Sequence, residues 1–205
     1  MNRPPEQFVR VEPEALRSFA FTCLQTAGLN TPHAEQLAGL LVDSDLRGVR
    51  SHGTRMLGGY ARVIAERRAN PDPDIEILSE TDTSIHIDGD GSMGYAPTML
   101  ATEKCIEKAK AKGTAVGAIQ GIGHYGSAGH YVRRAMEEGL IGFSVQRASP
   151  QYYASNEGNR AAAYGNPPLC FGLPSETEPP VVLDVATSIL TDQQRVDSLS
   201  CYGNE

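Results

Sequence analysis

Gly121-Ile122-Gly123-His124-Tyr125-Gly126 is the stretch whose reading decides how this chain folds and works. It spells G-x-G-x-x-G. A strand-like run (115–119) precedes it and a helix-like run (128–138) follows. Two readings compete. Either the glycines open a dinucleotide-binding turn of the Rossmann kind, or they let the backbone turn tightly so that His124 projects from a strand end. The first reading requires the motif to open the first strand–helix unit, with an acidic residue about 20 positions further on to take a ribose hydroxyl. Neither condition is met. Two strand-like segments and a helix-like one come before the motif, and the next strand (141–145) runs into Gln146 and Arg147. His124 and Tyr125 also add bulk where a pyrophosphate needs bare backbone. A histidine at a strand end suits proton transfer near neutral pH. A loop histidine that only hydrogen-bonds its surroundings fits the same pattern, so this segment alone leaves both roles open.

The flanking segments set the fold class. Residues 75–78 and 84–88 alternate like strands, "GDGSMG" (89–94) reads as a turn, and 96–112 reads as a helix closed by Gly113. The succession strand–helix–strand predicts neighbouring parallel strands joined by a right-handed crossover. Residues 148–180 are rich in Pro, Gly and Asn and read as a long irregular loop, a kind that is often functional. A short strand over 181–184 follows. Before residue 70 the pattern is helical. One helix runs to about Ala27 with Leu16, Phe19, Ala20 and Leu24 on a stripe. A second has Thr31 as N-cap, Pro32 at its first position, Gly48 at its end, and a stripe of Leu37, Leu40, Leu41 and Leu46. A third covers 54–67, and "ANPDPD" (69–74) breaks it. The expectation is an α/β protein: a helical N-terminal region (1–70), an α/β part (71–195) and a divergent tail (196–205), without internal repeats.

Composition narrows the function. The chain has 205 residues, 40% of them hydrophobic, enough for a substantial core. The net charge of -7 argues against nucleic acid, which demands clustered Lys and Arg. The two basic clusters, 66–68 and 108–112, lie in helix-like segments and read as solvated faces. No apolar run approaches the roughly 20 residues that span a bilayer, and the first residues lack the apolar core of a signal peptide. Cys23, Cys105, Cys170 and Cys201 are scattered without a C-x-x-C, which suits a reducing, cytoplasmic setting and points to neither zinc nor a redox pair. The five histidines show no i, i+4 helical pair with a third ligand nearby, so no metal is expected.

A second group of chemical side chains joins the second and third helices. Ser51, His52, Arg55 and Tyr60 lie between Gly48 and the body of the third helix. Arg55 is able to hold a carboxylate in a bidentate pair, and His52 and Tyr60 to hydrogen-bond a substrate oxygen. The plainer reading is a helix corner capped by Ser51.

Taken in order, Ser51-His52-Gly53 with Tyr60, Gly123-His124-Tyr125-Gly126, Gly165-Asn166-Pro167-Pro168-Leu169 and Leu183-Asp184-Val185-Ala186-Thr187-Ser188 resemble the malate/L-lactate dehydrogenase family, whose fold is unrelated to the ordinary lactate and malate dehydrogenases. Ureidoglycolate, sulfolactate and diketogulonate enzymes and reductases of cyclic imino acids are relatives. The resemblance implies a non-Rossmann mixed-sheet domain that binds NAD or NADP, a 2-hydroxy or 2-oxo acid as substrate, and a homodimer. It implies His124 as acid/base, with His52 sharing the catalytic site. Ser51, Arg55 and Tyr60 are implied in the substrate pocket, and Ala148, Ser149, Pro150, Asp184, Val185 and Ala186 along the cofactor. The sequence departs from the pattern in places. Arg50 stands where the family has His, Met56 where it has an arginine, and Pro167 where it has an asparagine. After Ser188 the resemblance fades, so the expectation is a C-terminally truncated copy that binds cofactor poorly. The alternatives are an inactive copy or a cyclic imino acid reductase on the same scaffold.

Overall fold

The computed structural model describes residues 9–147, 151–154, 160–163 and 167–187. The chain divides into two compact units, Met1–His130 and Tyr131–Glu205.

The first unit opens with two helices. α1 (Pro13–Thr26) starts on a proline, whose missing N–H costs nothing at a helix start. α2 (Thr31–Leu46) is capped by Asn30, whose side-chain oxygen accepts from the His33 N–H at 3.0 Å. The cap thus falls one residue before the expected Thr31. Leu24, Leu37 and Leu41 fill the core between them. Each fully buried leucine contributes about 1.5–3 kcal/mol. Two stripe residues fall outside. Leu46 is 64% exposed and Phe19 60% exposed. At about 100° per residue, Leu46 lies roughly half a turn from Leu37, and Phe19 about 140° from Leu24. The third helix is shorter than expected. Two 3-10 turns, Arg50–His52 and Thr54–Met56, come first, and α3 covers Leu57–Ala65 with Leu57, Tyr60 and Ile64 buried.

β1 (Glu76–Glu80) and β2 (Ser84–Ser92) form an antiparallel hairpin, with Ile77 opposite Ile87. The expected turn at 89–94 is instead a bulge within β2, with Asp90 at φ 50 and pairing resumed at Ser92. α4 (Tyr95–Lys112) ends on Gly113 at φ 87, as its sequence predicts. β3 (Val116–Ile122) then pairs parallel to β2, Ile87 opposite Ile119. Ala101 of α4 packs on Ile85 and Ile87.

α5 (Gly129–Glu137) carries the chain into the second unit, where β4 (Gly142–Val145) follows. β4 does not extend the first sheet. It pairs antiparallel with β7 (Pro168–Leu173), which pairs antiparallel with β8 (Val181–Ala186). Only one of the two strand–helix–strand units therefore forms the expected parallel neighbours. The stretch read as an irregular loop contains a hairpin, β5 (Gln151–Ala154) with β6 (Arg160–Ala163), and then β7. On one face of the β4–β7–β8 sheet Gly142 pairs with Gly172, next to the buried Cys170. A Cβ on Gly142 meets Val132 backbone at 2.7 Å, and one on Gly172 falls on the Met136 side chain. The two bare glycines form the depression into which α5 sets these side chains. The other face exposes Phe143, Val145, Phe171, Leu173, Val181, Leu183 and Val185.

Candidate functional site

The corner between α2 and α3 is built by Asp45. Its carboxylate accepts from the Thr54 N–H at 2.9 Å and from the Thr54 hydroxyl at 2.5 Å. It lies so close over Gly53 that a Cβ there is impossible, at 1.8 Å from Oδ1. Only glycine permits this wrap. The result is that His52 is held at this corner, with the Ser51 hydroxyl 2.9 Å from its Nδ1.

The loop after β3 is held just as firmly. The Gly123 N–H donates to Ser92 O at 2.8 Å, and the Gly94 N–H donates to His124 O at 3.0 Å. Two glycine–tyrosine pairs interlock across this seam. A Cβ on Gly94 meets the Tyr125 Cβ at 2.7 Å, and one on Gly126, at φ +80, meets the Tyr95 hydroxyl at 2.4 Å. Each glycine makes room for the other segment's tyrosine. A side chain on Gly121 collides with the Asp88 carboxylate. Gly121 and Gly126 thus admit neighbouring parts of the protein itself, and their spacing is unrelated to a pyrophosphate.

These two supports bring the separate sequence segments together. The Tyr60 hydroxyl lies 2.6 Å from His124 Nδ1 and 3.0 Å from the Tyr95 hydroxyl. The His52 and His124 rings stack with centroids 5.6 Å apart and 18° between planes. Tyr60 and Tyr95 meet edge to face at 5.9 Å. Both tyrosines are buried, whereas His124 keeps an open edge. Loss of hydration, then the nearby His52, pulls the His124 pKa down to about 4, and water at the open edge screens part of that pull. Burial pushes the Tyr60 phenol up to about 12, against the opposing effect of the hydrogen bond shared with Tyr95. Near neutral pH the site therefore rests with a neutral imidazole against a neutral phenol.

The remaining expected residues are placed as follows. Ser51 is exposed and bonded to His52, and Arg55 is exposed on the second 3-10 turn, outside the hydrogen-bonded group. Asp184, Val185 and Ala186 form the exposed end of β8 in the second unit, opposite Cys170, Leu169 and Pro168. Val185 and Ala186 are apolar and Asp184 is charged, and the three alternate between the two faces of the sheet. Ala148, Ser149 and Pro150 lie outside the described residues. Sequence reasoning missed Tyr95 and Asp45. The only trace of Tyr95 is the reversed dipeptide, Gly94-Tyr95 against Tyr125-Gly126.

His130, next to this loop, has a neighbourhood that looks catalytic. Ser44 Oγ lies 3.0 Å from His130 Nε2, and Asp43 lies 3.5 Å from Nδ1. That order is the serine-hydrolase one, but Ser44 is 1% exposed and out of reach of any substrate. The trio fastens α2 to the start of α5. Among the described residues no helix is long and apolar enough to cross a membrane.

With this geometry in view, comparison with known proteins defines the class. Residues 11–195 match the model of the malate/L-lactate dehydrogenase family, and the chain belongs to that family. It is 33% identical over 185 residues to a malate dehydrogenase of Pyrococcus abyssi, covering 90% of this chain and 50% of that protein. It is 30% identical to the ureidoglycolate dehydrogenase (NAD(+)) of Escherichia coli O157:H7, covering 88% of this chain and 51% of that one. The solved malate dehydrogenase of Pyrococcus horikoshii OT3 superposes with a TM-score of 0.82 at 32% identity, over 92% of this chain and 53% of that chain. The chain spans about half the length of the curated relatives it matches.

Proposed function

We propose that this chain interconverts a 2-hydroxy acid and a 2-oxo acid of the malate or lactate kind, with NAD or NADP, and that His124 moves the proton. The observation that carries this reading is the hydrogen-bonded run from His124 through Tyr60 to Tyr95, with His52 stacked alongside. Family membership supports the hydroxy-acid class.

In the oxidising direction a neutral His124 is ready to act as base. Tyr60 occupies Nδ1, so Nε2 is the nitrogen left to take the hydroxyl proton. As the O–H bond breaks, the electron pair forms the C2 carbonyl and the C2–H bond releases hydride. When bound, the nicotinamide supplies the acceptor for that hydride, and Asp184, Val185 and Ala186 are the residues that would hold its ring. In the reducing direction His124 must arrive protonated. The substrate carboxylate favours this, since a nearby negative charge raises the pKa of an imidazole. The open edge of His124 lets solvent deliver the proton. His52, steadied by Ser51, donates to the developing oxyanion. Arg55 is our candidate for the cation that holds the substrate carboxylate. The reading extends to a homodimer, on the strength of the family alone. It extends also to the cytoplasm, where free Cys23, Cys105 and Cys170 are at home.

The test is NAD(P)H oxidation by the purified chain against pyruvate, oxaloacetate and a cyclic imino acid. Turnover with an oxo acid supports the reading. A cooperatively folded chain that oxidises neither cofactor with any of them overturns it, and preference for the imino acid moves the substrate class.

A further inference from the structure

We propose that Tyr95 is a positioning residue that sets which nitrogen of His124 carries its proton. The inference rests on the reading of His124 as the acid/base group. The Tyr60 hydroxyl has one proton and two polar neighbours, His124 Nδ1 at 2.6 Å and the Tyr95 hydroxyl at 3.0 Å. Tyr60 is 4% exposed, so bulk water is not an alternative acceptor. If Tyr60 donates to Nδ1, the neutral ring must hold its proton on Nε2, and that nitrogen has no lone pair for a base. If Tyr60 donates to the Tyr95 oxygen, its own oxygen accepts the Nδ1–H and Nε2 stays free. Proton uptake at Nε2 then leaves both hydrogen bonds unchanged. This second arrangement is ready for reaction in both directions without reorganisation.

Tyr95 is what makes it available. Its ring is 2% exposed, and its hydroxyl sits in the space that Gly126 leaves by lacking a side chain. Replacing that hydroxyl with hydrogen leaves Nδ1 as the acceptor for the Tyr60 proton and turns the imidazole to the Nε2–H form. Tyr95 acts through the hydroxyl of Tyr60.

The test is the tautomer itself, read from the ring 15N shifts of His124 at pH 7.5 in the uniformly labelled 205-residue chain. His124→Gln assigns the signal. The wild-type protein is expected to show Nδ1–H with Nε2 unprotonated. Tyr95→Phe is expected to shift the tautomer ratio at least about fivefold toward Nε2–H, the scale of one net hydrogen bond. Tyr60→Phe cuts the same run one link earlier and is expected to move it the same way, which keeps the test alive if Tyr95→Phe does not fold. A wild-type ring already in the Nε2–H form overturns the proposal, as does a ratio that neither variant moves. None of these readings requires turnover, so a chain with the expected tautomers but no dehydrogenase activity sinks the proposed function and leaves this inference standing.

Discussion

The two units handle their surfaces in opposite ways. In the first, Leu24, Leu37, Leu41 and Ile64 close a core, and the buried Tyr60 hydroxyl bonds both His124 Nδ1 and the Tyr95 hydroxyl. In the second, α5 packs on Gly142 and Gly172 at one face of the β4–β7–β8 sheet, and the other face exposes apolar side chains, with Phe143, Phe171 and Leu183 aligned across three strands. Contiguous exposed apolar patches mark interaction surfaces. The contrast teaches that the His124–Tyr60–Tyr95 run is assembled within the first unit's own packing, whereas the strand end proposed to meet the cofactor belongs to a sheet with an exposed apolar face.

Several substitutions sharpen or break that contrast. Leu41→Ala in the first unit is expected to cost about 2–5 kcal/mol, because a fully buried leucine leaves a cavity, and urea unfolding measures it. Gly172→Ala in the second is expected to cost about 1–3 kcal/mol, since the new methyl drives into Met136. An unchanged midpoint there means that α5 does not seat on the glycine pair. Phe171→Ser on the bare face is expected to change monomer stability by less than about 0.5 kcal/mol while lowering self-association in sedimentation. A loss comparable with that of Leu41→Ala shows that the face is covered. A further effect is on pH dependence. The folded-state pKa of His124 lies below its unfolded value of 6.5, at about 4, so the folded state disfavours its proton. The stabilisation is fully present above pH 6.5 and is lost as pH falls through about 4. Thermal melts between these limits should slope less in His124→Gln than in the wild-type chain.

The parts of this structure legible in the sequence share a cause: they depend on local backbone chemistry. Gly113 closes α4 because the left-handed C-cap favours glycine, and Pro32 marks the start of α2 for the reason prolines start helices. The convergence of His52, Tyr60 and His124 was legible through the ordered motifs. What stayed hidden depends on contacts distant in sequence. Asn30 and Thr31 are both good caps, and only the fold selects Asn30. Tyr95 looks like any aromatic at a helix start until Gly126 is seen beneath its hydroxyl. β7 escaped notice because its strand lies among prolines and glycines, one of which, Gly172, is there for α5. β4 was expected to extend the first sheet because sequence order does not say which sheet a strand joins.

The most direct test of the central claim is kcat/KM for an oxo acid that the wild-type chain turns over, compared in His124→Gln with its cooperative melt intact. The account predicts a loss of about a hundred- to ten-thousand-fold, the contribution of a positioned acid/base. A variant within threefold of wild type would contradict it and assign the proton to another group.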